Sequence, residues 1–214
     1  RERVLSAELW DRQVADLLQP EEQIFSKVRS SYKSHLNWCR NNLTMEYRAG
    51  AGLDEAKASE VFQIIQRCHR KVIESRGDNM TATSFLMAIE MCRRNQGEVA
   101  IARSNDGDAC AIAVTTDSDD AAYYALGGQL QLGNRNPGNF IIYDSIVRAK
   151  RRGMRRFHPN TLSPAPVQRE LAKVAVRPKW QASNFFYKRG FSDDLEIAYV
   201  YRILPTTLTA FGPR

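Results

Sequence analysis

The sequence predicts a mixed α/β domain, a mostly antiparallel sheet flanked by helices, and three observations carry that expectation. Apolar residues recur at spacings of three and four through much of the first hundred residues, the period of helices with one buried face. At Gly97 the texture changes to three short β-prone runs divided by the turn signals "SNDGD" and "DSDD". One more helical run and a short segment, "RRFHPN", then follow, the pattern of a crossover from one strand to another.

Each element has its own signal. From Glu21 to Asn41 the residues Ile24, Phe25, Val28, Tyr32, Leu36 and Cys39 predict one amphipathic helix opened by "QPEE", with Pro20 well placed at its first turn. Leu43–Ala49 alternates Leu43, Met45 and Tyr47 with polar neighbours and reads as a strand ended by Gly50 and Gly52. Helices are expected over Leu53–Arg76, on Val61, Ile64, Ile65, Cys68 and Val72, and over Thr81–Gly97, on Phe85, Leu86, Ile89 and Cys92. The meander from Glu98 to Leu130 has strands too close in sequence to be anything but folded-back neighbours. A helix starting at "NPGN" and stopping at Gly153 and a strand at "RRFHPN" complete the crossover. "SPAPVQRELAKVAVRP" reads as irregular or weakly helical, "WQASNFFYKRG" as a short helix and "DLEIAYVYRIL" as a final strand.

At 214 residues the chain has room for one large domain, and no run of about 18 apolar residues spans a bilayer. The start "RERVLSAELW" has no Met and no secretory core, so no signal peptide is expected, and the start is consistent with a piece of something longer. Cys39, Cys68, Cys92 and Cys110 lack CxxC spacing, and no metal site is expected. Reduced cysteines suit a cytoplasmic protein, the expected location, although four could also pair in an oxidising compartment. The net charge of +7 favours an anionic partner without choosing one. "RAKRRGMRR", Arg148 to Arg156, concentrates six cations in nine residues; it is either the solvated end of a helix or the seat of such a partner. Lys27, Arg29, Lys33 and Arg40 make a second basic helix that, with this cluster, would track a phosphate backbone or a diphosphate lipid.

The order "YYALGG", "NFIIYDSIVRAKRRGMRRF" and "FFYKRGF", preceded by "SYKSHLNWCRNNL", resembles the GNAT acyltransferase fold, and within it the C-terminal domain of the Fem peptidoglycan aminoacyltransferases. The resemblance covers roughly residues 21 to 202 and implies a GNAT-like domain over 21–204. Residues 1–20 would then be an extension or the end of a preceding domain, and 205–214 a C-terminal tail. It implies an acyltransferase moving an acyl or aminoacyl group from a CoA thioester or an aminoacyl-tRNA to an amine acceptor, such as a cell-envelope precursor. The alternative is a noncatalytic module of the same fold that binds nucleic acid, anionic lipid or a protein through its basic face.

Amine attack on an activated acyl group needs donors at the developing oxyanion and a path for protons, with positioning supplying much of the rate. Acetyltransferases of this fold often place Tyr four residues before the glycine of the last motif, where this chain has Phe186. The Fem register implies instead Tyr187 and Lys188 as the catalytic pair, Lys188 near the acyl centre. Tyr124, Asn184 and Arg189 are the candidate substrate-binding residues. In "QLQLGNRNPGNF", Arg135, Asn136, Gly138 and Asn139 are the candidate donor-binding residues, an anion cradle at a helix start. The usual pyrophosphate turn is absent there, so acyl-CoA is left open as a cofactor; Fem enzymes lack that turn too. Of Tyr123 and Tyr124, one is expected in the core and one on the exposed sheet face. Asp144 reads as a solvent-facing helix residue or a site polar group, His158 as a loop residue or a base. Trp38 with Arg40, and Trp180 with Lys179, would stack on a nucleobase or fill core and rim.

Overall fold

The meander and crossover determine where everything else packs. The computed structural model describes residues 3–76, 82–159, 162–163, 190–191 and 195–204. Along the chain these form β1 (Arg3–Gln13), β2 (Ala15–Asp16), α1 (Glu21–Lys27), α2 (Ser30–Asn42), β3 (Thr44–Arg48), α3 (Glu55–Arg76), α4 (Ala82–Arg93) and β4 (Gly97–Arg103). There follow β5 (Ala109–Ser118), β6 (Ala121–Gln129), α5 (Pro137–Arg151), β7 (Arg156–His158), β8 (Leu162–Ser163) and β9 (Leu195–Leu204). A six-stranded sheet runs β2-β7-β6-β5-β4-β3, antiparallel throughout except where β6 and β7 run parallel across the α5 crossover.

The two faces of this sheet differ in residue size. Val99, Ile101, Ile112 and Val114 point to the core shared with α3 and α4. Ala100, Ala102, Ala111, Ala113 and Ala122 point to the core holding α1, α2 and α5. Period-two alternation sends every second side chain to each face, so the alanines make one smooth face. In that core α5 buries Phe140, Ile141, Ile142, Tyr143, Ile146 and Val147. Its stop is at Gly153, whose φ of 86° lets Met154 N–H return to the Ala149 carbonyl at 3.1 Å. Ala113→Leu pushes a larger side chain into this fully buried face. It is expected to cost about 1–3 kcal/mol, read as a lower urea midpoint with unchanged slope.

Two sequence expectations are corrected, and the expected final strand gains a partner the sequence did not name. The helix expected over Glu21–Asn41 is two helices, because Val28 and Arg29 are extended, with ψ of 131° and 134°. The final strand β9 pairs antiparallel with β1 from Arg3↔Leu204 to Gln13↔Leu195, in a separate sheet ordered β8-β1-β9. Residues 3–13, for which the sequence offered no element, therefore form a strand. His158 is no loop residue: it sits on β7, 1% exposed, with its ring stacked on Tyr123 at 4.9 Å.

Candidate functional site

β6 builds the first wall. Among the described residues its partner β7 accompanies it from Ala121↔Arg156 to Tyr123↔His158, and β6 runs on past that short strand to Gln129. On its other side, β6 pairs Tyr124 with Thr115 and Leu126 with Val114, leaving Ala125 as an extra residue. Such a bulge shifts the alternation by one, so Tyr124 and Gly127, three apart, share a face. The Tyr124 ring lies across Gly127, where an added Cβ would stand 1.9 Å from the hydroxyl oxygen. Tyr123 and Tyr124 are both half-buried rather than one in and one out. Burial, with a smaller contribution from Cys68, pushes the Tyr124 hydroxyl pKa upward, so it is a proton donor rather than an anion.

The end of β6 caps α5. Gln129 Oε1 accepts from Gly138 N–H at 2.5 Å, Asn136 Oδ1 accepts from Asn139 N–H at 3.2 Å, and His35 Nδ1 accepts from Asn136 N–H at 3.4 Å. Pro137, between them, has no N–H. The amides of the expected anion cradle are thus engaged by the chain's own side chains. Arg135 lies with its guanidinium 5.6 Å from the Trp38 ring centre. Asn139 is 1% exposed, and its Oδ1 has no hydrogen-bond partner among the described residues.

The α1–α2 break builds the second wall. Its freed Arg29 N–H donates to the Gly190 carbonyl at 2.7 Å. Tyr32, on the first turn of α2, packs at 5.4 Å on buried Phe191 and leaves no space for a Cβ on Gly190, which would stand 2.1 Å from the ring. One turn further along α2, His35 holds the start of α5. Residues three apart share a helix face. So α2 brings "NPGN" and the end of "FFYKRGF", some 50 residues apart in sequence, to neighbouring turns. Tyr187, Lys188, Asn184 and Arg189 lie outside the described residues, as do Trp180 and Lys179. Of the described candidates, the structure joins Arg135, Asn136, Gly138 and Asn139 in one cluster at the end of β6, the strand that carries Tyr124.

Gln129, His35 and the Arg29–Tyr32 turn are site-lining residues that sequence reasoning missed. The only signal was the polar alternation of "QLQLGNRN". Nothing in Val28-Arg29, neither Gly nor Pro, marks a helix break.

The basic cluster at the end of α5 and just beyond it is mostly engaged within the chain. Arg148 and Arg152 both reach Glu98, at 2.6 and 2.5 Å, and Arg152 also reaches Asp117 at 2.8 Å. Arg151 pairs with Glu21, Arg156 with Asp120, and Lys150 donates to the Leu17 carbonyl. Asp144 joins this network through Tyr47, whose hydroxyl bonds it at 3.0 Å while the Arg148 guanidinium covers the Tyr47 ring at 3.9 Å. Burial pushes the Asp144 carboxyl pKa up to about 6, against the Tyr47 hydrogen bond and the Arg148 charge, which pull it down. A carboxyl raised in the folded state favours folding below its unfolded pKa, about 4, and loses that contribution as pH rises through 6. Asp144→Asn, which keeps the acceptor for Tyr47, should therefore be more stable than the parent at pH 7.5, by up to about 2 kcal/mol. The gap should close at pH 4; denaturation midpoints at the two pH values measure it.

On the opposite face, between α3 and α4, a groove of about 650 Å³ is lined by Ala58, Phe62, Phe85, Leu86 and Ile89. None of the candidate residues lines it. All four cysteines are buried as free thiols, and burial raises each of them. No helix among the described residues is long and apolar enough to cross a membrane.

No protein-family model and no curated protein matches the sequence at a significant level. Solved structures do resemble the fold. FemX superposes with a TM-score of 0.61 at 10% identity, over 92% of this chain and 61% of FemX. The fold of this chain is GNAT-like and similar to that of FemX. L-PGS from Bacillus licheniformis gives 0.58 at 9% identity, over 90% of this chain and 60% of that one. A C-terminal domain from Agrobacterium fabrum attributed to a lysylphosphatidylglycerol synthetase gives 0.57 at 14%, over 91% and 60%. The chain spans about 60% of the length of these proteins, and at such identities the likeness is one of fold.

Proposed function

We propose that this GNAT-like domain is an acyltransferase that moves an aminoacyl group from an RNA ester to an amine acceptor, a cell-envelope precursor being the first acceptor to test. The observation that supports this reading is the convergence on α2 of the α5 start and Gly190, a residue that follows Tyr187 and Lys188 in sequence. The choice of donor follows from the capped amides. A CoA pyrophosphate at the start of α5 would have to displace Gln129 and Asn136 from Gly138 and Asn139, whereas an ester donor held elsewhere need not. The resemblance of the fold to FemX and L-PGS points the same way.

In this reading the acceptor nitrogen attacks the ester carbonyl, the C–N bond forms, the C–O bond to the ribose breaks, and the amine proton ends on the leaving hydroxyl. Lys188 supplies positive charge to the oxyanion and Tyr187 an aromatic wall beside it, while Asn184 and Arg189 hold substrate. Tyr124, kept protonated by burial, contributes a hydroxyl on the β6 side. A pure binding module using Arg148–Arg156 is less favoured, because those cations are largely spent on Glu98, Asp117, Glu21 and Asp120.

Thermal shift tests the donor directly, since a ligand of the native state raises its melting temperature by mass action. The expected result is a rise with mixed aminoacyl-tRNA greater than with deacylated tRNA, and none with acetyl-CoA. A rise with acetyl-CoA alone would reverse the assignment of donor.

A further inference from the structure

On the α3 side of the sheet, a pocket of about 320 Å³ opens between α3 and the β4–β5 turn. Its apolar lining is Ile64 and Ala109, both buried. The four charged residues around it fall into two pairs. Glu60 and Arg103 bond each other at 2.9 Å, and each has a further ion pair, Glu60 with Arg48 and Arg103 with Glu46. Arg67 and Asp108 are exposed, and among the described residues neither has an ion-pair partner. They share the pocket without pairing with each other. Opposite charges held apart around one pocket leave a place for a ligand that carries both.

Both charges stand on braced supports. Arg67, on α3, gives one of the five N–H donors of its guanidinium to the Ala109 carbonyl at 2.7 Å, beside the residue that carries the carboxylate. Asp108 closes the turn "SNDGD": its carbonyl accepts from Ser104 N–H at 2.9 Å, and the Ser104 carbonyl accepts from Gly107 N–H at 2.9 Å. Arg103 Nη1 ties the same turn through the Gly107 carbonyl at 3.1 Å. Little ordering is left for a ligand to impose.

The charges select the ligand's chemistry. A lone anion on Arg67 would face Asp108 and Glu60 as well, and a lone cation on Asp108 would face Arg67 and Arg103. A zwitterion meets each with the favourable sign. The planar guanidinium suits a carboxylate, to which it gives two parallel bonds, and the Asp108 carboxylate accepts from an ammonium. Ile64 and Ala109 offer a short aliphatic side chain its contact, and the volume lies at the small end of ligand sites. We propose that this pocket binds a free α-amino acid as its zwitterion, with the α-carboxylate on Arg67 and the α-ammonium on Asp108. The site lies on the opposite face of the sheet from the start of α5 and does not depend on the transfer reaction.

Titration of the full chain with L-alanine, followed by proton–nitrogen correlation NMR, tests the site. The backbone amides of Gly107 and Ala109, which flank Asp108, are the reporters. L-Alanine should shift them along a saturable curve in the millimolar range, the affinity that two solvent-exposed charge contacts support. Acetate and methylamine, each with one of the two charges, should bind about tenfold more weakly or not at all. Arg67→Gln and Asp108→Asn should each raise the L-alanine dissociation constant about tenfold or more. Both positions are exposed, so the variants keep the fold, and the rest of each spectrum verifies this. No saturable shift with L-alanine, an equal response to acetate, or unchanged affinity in either variant overturns the proposal; an equal response to acetate would make the pocket an anion site instead.

Discussion

Gly127→Ala should destabilise the protein by about 2–4 kcal/mol, a large effect for one methyl group. The reason is local and steric. The new Cβ would stand 1.9 Å from the Tyr124 hydroxyl oxygen and 2.6 Å from the Ile112 carbonyl oxygen on β5. A flexible side-chain tip could swing aside, but Tyr124 is anchored by the β6 bulge and packs against the core that holds α5. The carbonyl belongs to the sheet and cannot move without breaking its ladder. Tyr124→Phe in the same chain should recover part of the loss, since it removes the nearest atom, and leave the part due to the Ile112 carbonyl and to the ring carbon Cζ, each 2.6 Å away. Urea midpoints of the two single variants and the double give this coupling. If Gly127→Ala is neutral, Tyr124 is free to leave its place, and its role in shaping the β6 wall fails.

Glu98→Ala should cost about 3 kcal/mol. Glu98 is 4% exposed on β4, and both its oxygens receive arginine: Arg148 from Nε and Nη2, and Arg152 from Nη1. Removing it leaves two partly buried guanidiniums facing each other, Arg152 still bonded to Asp117 and Arg148 with the charge of Asp144 nearby but without a bonded carboxylate among the described residues. Glu21→Ala, which breaks the more exposed pair with Arg151, should cost under about 1 kcal/mol and serves as the comparison. Equal effects at the two sites would mean that the cluster is an ordinary solvated surface. Glu98 locks the far end of α5 to the sheet, so that the near end, capped by Gln129, presents a fixed face to the site.

What could be read beforehand depended on how local the cause was. The meander was legible because "SNDGD" and "DSDD" force a reversal within a few residues, and α3, α4 and α5 were legible because their apolar faces repeat with the helical period. The α1–α2 break was not, since Val28 and Arg29 are acceptable helix residues and the break answers to Gly190, some 160 positions later. The partner of β9 was equally hidden: pairing with β1 joins opposite ends of the chain, and no local propensity encodes it. In the site, the "NPGN" start of α5 was visible, with Pro137 in the first turn and Asn136 as the cap. That Gln129 and His35 would occupy the remaining roles was not, because each acts through an atom several elements away. Six cations in nine residues suggested an external partner; the carboxylates that satisfy most of them stand on β4, the end of β5, the turn before β6, and α1, too far in sequence to be counted with them.

The most direct measurement is transfer itself. The protein is incubated with tRNA charged with radiolabelled amino acids and a soluble muropeptide amine acceptor, and labelled amide is counted for the native chain and for Lys188→Ala. The native chain should form amide, and the variant should lose roughly a hundredfold or more of that activity, the effect of removing an oxyanion-stabilising group. Full activity in Lys188→Ala, or amide formed from acetyl-CoA and from no aminoacyl-tRNA, would contradict the assignment of an aminoacyl transfer centred on Lys188.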